Sequence, residues 1–399
     1  MKINLLPFQD AARIDLRDAL DDARHNYDRR HKQQIISFTA ATGAGKTIIL
    51  ISLVESVYLG DATYPAQDDA IFIWLSDSPE LNEQSRKKFF DHADDFLRGK
   101  LFTITDETFD GETLDDGRIY FLNTQKLSRT SNLTRRSDTR QFTIWETLQR
   151  TAEEKSARLY LIIDEAHRGA KNRSESTTIM QKFIKGSVDD GLKPLPVVIG
   201  VSATIERFNE LVKGAGATIN PCAVSNEIVR EAGLLKDRII VIYPDAGDKA
   251  MSMLTAAAQD WLSKRKHWLA YDSRVKPVFI VQVQSGTGNS VSDTDLDECL
   301  KTIESATGES FNVGEVVHTF GDAGDLTING LLVTYREPSQ ITEDDAIKIV
   351  LGNGTAALCR VICFPSTKVT RTGNLILRRL SWATRRLRRV ICLNTARRT

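Results

Sequence analysis

Apolar residues in the first half of the chain fall into short unbroken runs. These alternate with stretches whose apolar positions recur at helical spacing. Residues 35–38 form the first run, followed by a helical pattern over 48–59. Residues 70–75 (AIFIWL) form a second run, before an amphipathic pattern over 80–96. Further runs lie at 118–122, 159–163 and 196–201. Runs without polar alternation predict strands covered on both faces, and their alternation with helices predicts parallel βαβ units. The polar stretches 100–116 and 130–139 read as loops, and 206–222 leads away from the fifth strand. A second unit begins with strands at 239–243 and 278–283 around a helix at 250–268. A Ser- and Gly-rich loop at 284–293 and a helix at 296–303 follow. No internal repeat interrupts this order.

Composition narrows the class. With 399 residues, 41% apolar and 27% charged, the chain suits two or three globular domains and excludes collagen-like, disulfide-scaffold and wholly disordered classes. No apolar run approaches the roughly 18 residues of a membrane span. The N-terminal MKINLLPFQD lacks a charged-then-apolar signal layout, so a cytoplasmic protein without a membrane partner is expected. Five cysteines without regular spacing fit reduced thiols, and Cys359 and Cys363 have no paired Cys or His nearby for zinc. Trp261 and Trp268 share a helix face and are expected in a core rather than on a base-stacking platform.

Formal net charge is zero but divided. Residues 1–350 carry 42 basic and 53 acidic side chains, whereas 351–399 carry 11 basic and none acidic. The expected organisation is therefore 1–235, 236–350 and an atypical basic tail over 351–399. The tail admits two readings. It is a phosphate-gripping extension, or it is foreign to the preceding sequence, as a frameshift or interrupted gene would make it.

The strongest chemical signal is AATGAGKT at 40–47, between the first strand and the first helical pattern. This is the context of a phosphate-binding loop. Gly43 and Gly45 let backbone N–H groups curl around a phosphate, and the following helix N-terminus favours negative charge. Thr42, Gly43, Ala44, Gly45, Lys46 and Thr47 are the expected ATP-binding residues. Lys46 would reach the β- and γ-phosphates and Thr47 would offer its hydroxyl to Mg²⁺. Ala40 stands where the usual pattern has glycine.

Strand 159–163 delivers Asp164-Glu165-Ala166-His167 to its C-terminal end, where open α/β sheets bind ligands. Asp164 is expected to hold Mg²⁺, through water, and Glu165 to orient or deprotonate the attacking water. Lys46, Asp164 and Glu165 are thus the catalytic candidates. Acidic residues also end strands as caps. The loop about 120 residues upstream, in a matching α/β pattern, favours the catalytic reading.

ATGAGKT, DEAH and Ser202-Ala203-Thr204 together resemble the superfamily-2 helicases and translocases. Finer features resemble the restriction subunit of type III restriction enzymes: LLPFQDAA at 5–12, WLSDSPELNEQSRKKF at 74–89, FLNTQKLSR at 121–129 and VSNEIVREAGLLKDRIIVIYP at 224–244. The resemblance implies an α/β fold: a RecA-like P-loop NTPase domain with a parallel sheet, followed by an incomplete second RecA-like domain. It implies that Gln9 contacts adenine and that His167, Ser202 and Thr204 couple the nucleotide to strand movement. It also implies that Ser78, Gln84, Asn123, Thr124 and Gln125 lie on or near a DNA-binding face. ATP and Mg²⁺ are the implied cofactors. DNA and a DNA-methylating subunit are the implied partners.

The Gln-x-x-Gly-Arg-x-x-Arg helix of the family's second domain is not found, and RRLSWATRRLRRV at 378–390 lacks its spacing. Three readings follow. The chain is a DNA-dependent ATPase, a nucleotide- and DNA-binding remnant without turnover, or a P-loop ATPase without a nucleic-acid role.

Overall fold

A computed structural model describes residues 1–106, 109–128, 131–137, 140–164, 175–203, 205–235, 240–242, 250–273, 275–287, 290–321, 324–341, 346–354, 358–365 and 391–394. The chain divides into two compact units, Met1–Leu235 and Lys236–Thr399.

In the first unit α1 (Pro7–Arg30) precedes β1 (Gln34–Thr39), α2 (Lys46–Leu59), β2 (Ile71–Ser76) and α3 (Pro79–His92). Then come β3 (Leu101–Thr103), β4 (Ile119–Asn123), α4 (Ile144–Glu154), β5 (Leu159–Ile163) and α5 (Glu175–Lys185). The unit closes with β6 (Val197–Ser202), α6 (Ile205–Val212), β7 (Thr218–Ala223) and α7 (Asn226–Glu231). The described strands make one sheet in the order β3-β4-β2-β5-β6-β1-β7, and every neighbouring pair is parallel.

The strands expected from the apolar runs form the middle of this sheet. β1, β2, β4, β5 and β6 are buried almost throughout, as strands covered on both faces must be. Alternate side chains feed two cores. Phe38, Phe72, Trp74, Ile162 and Ile199 pack on one face with Leu16 and Leu20 of α1, Leu50 of α2 and Phe89 of α3. Ile35, Ile73, Leu161 and Val198 pack on the other with Trp145 of α4, Phe183 of α5 and Phe208 of α6.

Four elements depart from the sequence expectation. Within the supposed loop 100–116, Leu101–Thr103 pairs with β4 as a short, mostly exposed edge strand. The segment 206–222 supplies α6 and the other edge strand, β7, which alternates in burial as a partly solvated strand does. α4 lies where no helix is expected. It is set by the capping box of Thr143 and Glu146, in which each satisfies a backbone N–H near the other.

Gly200 decides how closely α6 approaches β6. A Cβ there would sit 1.9 and 2.0 Å from ring atoms of Phe208, which is fully buried. Gly200→Ala is therefore expected to cost about 1–3 kcal/mol by overpacking. That corresponds to a fall in Tm of roughly 3–9 °C for a unit of this size. Thermal unfolding by circular dichroism measures this, and an unchanged Tm would show that the ring moves aside freely.

The second unit contains β8 (Ile240–Ile242), α8 (Ala250–Tyr271), β9 (Val275–Gln284), α9 (Leu296–Thr307) and β10 (Val316–His318). β11 (Leu326–Ile328), β12 (Leu331–Tyr335), α10 (Pro338–Ile341), β13 (Ile349–Gly354), β14 (Leu358–Pro365) and β15 (Ile391–Asn394) complete it. The sheet order is β11-β12-β10-β13-β9-β14-β15-β8, with β12, β10, β13 and β9 mutually parallel and β14 antiparallel to β9. The change in charge near residue 350 thus falls inside β13. Trp261 and Trp268 are buried, and Trp261 stacks on Phe279 while its indole N–H donates to the Pro277 carbonyl at 3.0 Å.

Cys222 and Cys299 are free thiols, and burial pushes each up to about 11, leaving them protonated and unreactive at neutral pH. No helix among the described residues is long and apolar enough to cross a membrane.

Candidate nucleotide site

Strand order brings the chemistry together. β5, β6 and β1 are consecutive neighbours in the sheet, and each ends in a residue singled out from the sequence. Asp164 follows β5, Ser202 ends β6, and the glycine loop follows β1. With strands about 4.8 Å apart, the ends of β5 and β1 are separated by roughly 10 Å, a gap spanned by side chains and a small ligand group.

The loop is formed by its own backbone. Gly43 and Gly45 adopt φ +92° and +84°, a region costly for residues with a Cβ, and Gly45 is the N-cap of α2. Ala40 has no such requirement, since among the described non-glycine residues only His31 and Asn329 have positive φ. It is fully buried, its N–H donates to the Ser202 carbonyl at 3.4 Å, and the missing first glycine leaves the loop intact.

Lys46 opens α2 with its side chain folded back over the loop. Nζ donates to the carbonyls of Ala40 at 3.1 Å and Ala41 at 3.4 Å, and the residue is 8% exposed. Thr42 and Gly43 are exposed, Ala44 is buried, and Thr47 is half-buried.

Asp164 is 8% exposed. Its N–H donates to the Leu75 carbonyl at 2.9 Å, continuing the sheet, and its Oδ2 accepts from the Ser85 hydroxyl at 3.5 Å. Ser202 is buried. Glu165, His167 and Thr204 lie outside the described residues.

Gln9 supports the loop from behind. Its Oε1 accepts from the Leu6 N–H at 3.0 Å, which fixes the start of α1. Its Nε2 donates to the Ala44 carbonyl at 3.0 Å. A Cβ on residue 45 would lie 2.5 Å from that nitrogen, so glycine there also admits Gln9. An amide has two donors and two lone pairs. These contacts use one of each.

The residues expected on a DNA face divide into two groups. Gln84 and Gln125 are exposed. Ser78, Asn123 and Thr124 have structural contacts: Ser78 Oγ caps α3 through Leu81 N–H, and Asn123 Oδ1 accepts from Lys126 N–H. Thr124 is buried and donates to the Asp77 carbonyl at 3.1 Å.

Sequence reasoning missed two neighbours of the site. Ser85 and Lys88 sit three residues apart on α3, hence on one face. Ser85 reaches Asp164, and Lys88 Nζ lies 3.4 Å from Thr47 Oγ1. The signal for this was that i, i+3 spacing inside SRKKF, which carried no meaning until β2 and β5 were known to be adjacent.

A parallel, helix-covered sheet with a glycine loop after its β1 and a carboxylate after its β5 defines a RecA-like P-loop NTPase fold. Residues 2–207 match the family described as type III restriction enzyme, res subunit, and the chain belongs to that family. No curated protein matches the chain. Among solved structures it is similar to the DUF1998 helicase MrfA bound to DNA, at 14% identity and TM-score 0.45, covering 88% of this chain and 42% of that one. The same helicase bound to DNA and AMPPNP gives 16% identity and TM-score 0.46, covering 88% and 41%. The Sulfolobus solfataricus SWI2/SNF2 ATPase core in complex with dsDNA gives 12% identity and TM-score 0.34, covering 88% and 78%. The chain therefore spans less than half the length of the first of these helicases.

Proposed function

We propose that the chain is an ATP-driven motor of helicase or translocase type acting on DNA, in a restriction–modification or related DNA-processing system. The observation that carries this reading is that Lys46 and Thr47 follow β1 while Asp164 follows β5, at the same end of two strands that flank β6. Membership of the restriction-subunit family supports the choice of DNA and of a DNA-methylating subunit as partners.

In this reading the backbone N–H groups from Thr42 to Gly45 hold the β-phosphate at the positive end of α2. Lys46 leaves the loop carbonyls for the β- and γ-phosphates and offsets charge that grows as the terminal phosphoryl group departs. Gln9 keeps one donor and one acceptor for the adenine edge. Glu165 takes a proton from the attacking water, and His167, Ser202 and Thr204 pass the change toward the strand-binding face, where Gln84 and Gln125 are exposed and Ser78, Asn123 and Thr124 hold the backbone beneath them.

Magnesium fits the donor set. Thr47 offers a hydroxyl and Asp164 a carboxylate, both hard oxygen ligands, and an ammonium already stands beside the Thr47 oxygen, so the locus accepts positive charge. Two protein ligands, with phosphates and waters, are the usual complement for this ion. When bound, the metal would neutralise phosphate charge.

A second reading rests on one observation. The sequence from 236 onward contains no Gln-x-x-Gly-Arg-x-x-Arg motif, and losing such arginines costs about 10³–10⁵ in rate. The chain then binds nucleotide and DNA without turning ATP over.

Calorimetric titration with magnesium ATP, paired with steady-state hydrolysis with and without duplex DNA, separates these outcomes. Binding with DNA-stimulated turnover supports the motor. Binding without turnover supports the second reading. Binding and turnover both indifferent to DNA would mark an ATPase with no nucleic-acid role. No heat of binding would overturn the nucleotide site altogether.

A further inference from the structure

α3 begins beside the residues expected to meet a DNA strand, yet one face of it reaches the two expected metal ligands. Ser85, buried, donates to Asp164, while Lys88, exposed, directs Nζ at Thr47 Oγ1 from 3.4 Å. The Thr47 hydroxyl accepts through the same oxygen lone pairs that would bind a divalent cation. An ammonium and a metal addressing one oxygen repel each other, and at this exposed contact water moderates the repulsion without removing it.

We propose that Lys88 is a positioning residue that competes with the nucleotide's magnesium for the Thr47 hydroxyl, so that the nucleotide-free chain holds its own cation there until the metal displaces it. This rests on the nucleotide-binding reading above and adds to it a control on metal entry. Gln84 adjoins Ser85 on the same helix, so a strand gripping that surface pulls on both contacts at once.

The consequence has opposite signs for two forms of one ligand. Metal-free nucleotide gains from a nearby ammonium, because its phosphates carry the full negative charge. Magnesium nucleotide gains less, because the ammonium must first leave Thr47. The diagnostic quantity is the ratio of Kd for AMPPNP in EDTA to Kd for AMPPNP with magnesium, measured by calorimetry on the full chain.

Lys88→Gln is expected to raise that ratio by about tenfold. Lys88→Arg, which retains the charge, is expected to keep the wild-type ratio. Lys88 is exposed, and unchanged thermal unfolding of both variants shows that the fold is not the cause. An unchanged or lowered ratio in Lys88→Gln, with wild-type protein binding both forms, overturns this inference alone. Failure of wild-type protein to bind AMPPNP in either form overturns the nucleotide reading together with it.

Discussion

Lys46→Ala is expected to lower ATP turnover by at least 10²–10³-fold, the scale on which removing one preorganised electrostatic donor slows a reaction. The structure gives three reasons for so large a loss. Lys46 is the first residue of α2, so its backbone fixes where the side chain starts. It is 8% exposed, so its charge acts with little screening from water. Its Nζ lies over the loop, on the Ala40 and Ala41 carbonyls, so it has only a short way to move when phosphate arrives.

The substitution should leave the fold largely intact. The Lys46 hydrogen bonds that it removes, to the Ala40 and Ala41 carbonyls, are worth about 1 kcal/mol each. It leaves the left-handed glycines and the Gln9 contacts in place. Steady-state hydrolysis with and without DNA, beside a thermal melt, checks both halves. Turnover within threefold of wild type would remove Lys46 from the catalytic set. A collapsed melt would assign it a structural role instead.

Much of the first unit could be read from the sequence because its signals are local. Five strands were visible because parallel strands buried on both faces are apolar at every position, as residues 159–163 are. The glycine loop was visible because positive φ demands glycine at 43 and 45. The edges were not visible. β3 is three residues long and mostly exposed, and β7 carries Pro221 and alternates in burial, so neither has the composition of a central strand.

The neighbours of the site were illegible for a different reason. Ser85 meets Asp164 across 79 residues of sequence, and Lys88 meets Thr47 across 41. The strand order, which places β2 beside β5, creates the first contact, and the packing of α3 against α2 creates the second. Gln9 shows the converse case. Its position was legible from the resemblance, but its local work was not: one amide both caps α1 and supports the loop at Ala44.

Asp164→Asn tests the other end of the site, and its predicted effects do not all run in one direction. Asparagine keeps the shape and an acceptor for the Ser85 hydroxyl while removing the negative charge. The affinity for nucleotide in EDTA should rise by a few fold, because a negative charge beside the phosphates has gone. Magnesium should then give much less improvement in binding, because the carboxylate expected to hold it through water no longer carries charge. Turnover should fall on the order of 10²–10³-fold, as when a site loses the group that holds its Lewis acid in place.

Ser85→Ala separates the carboxylate's charge from its orientation. It leaves the charge and removes only a 3.5 Å hydrogen bond, so magnesium should still improve binding strongly. Magnesium-dependent turnover in Asp164→Asn at the wild-type level would move the metal away from β5. Loss of magnesium dependence together with tighter metal-free binding is the pattern that a structural aspartate would not produce, since a merely structural loss weakens both forms of the ligand alike.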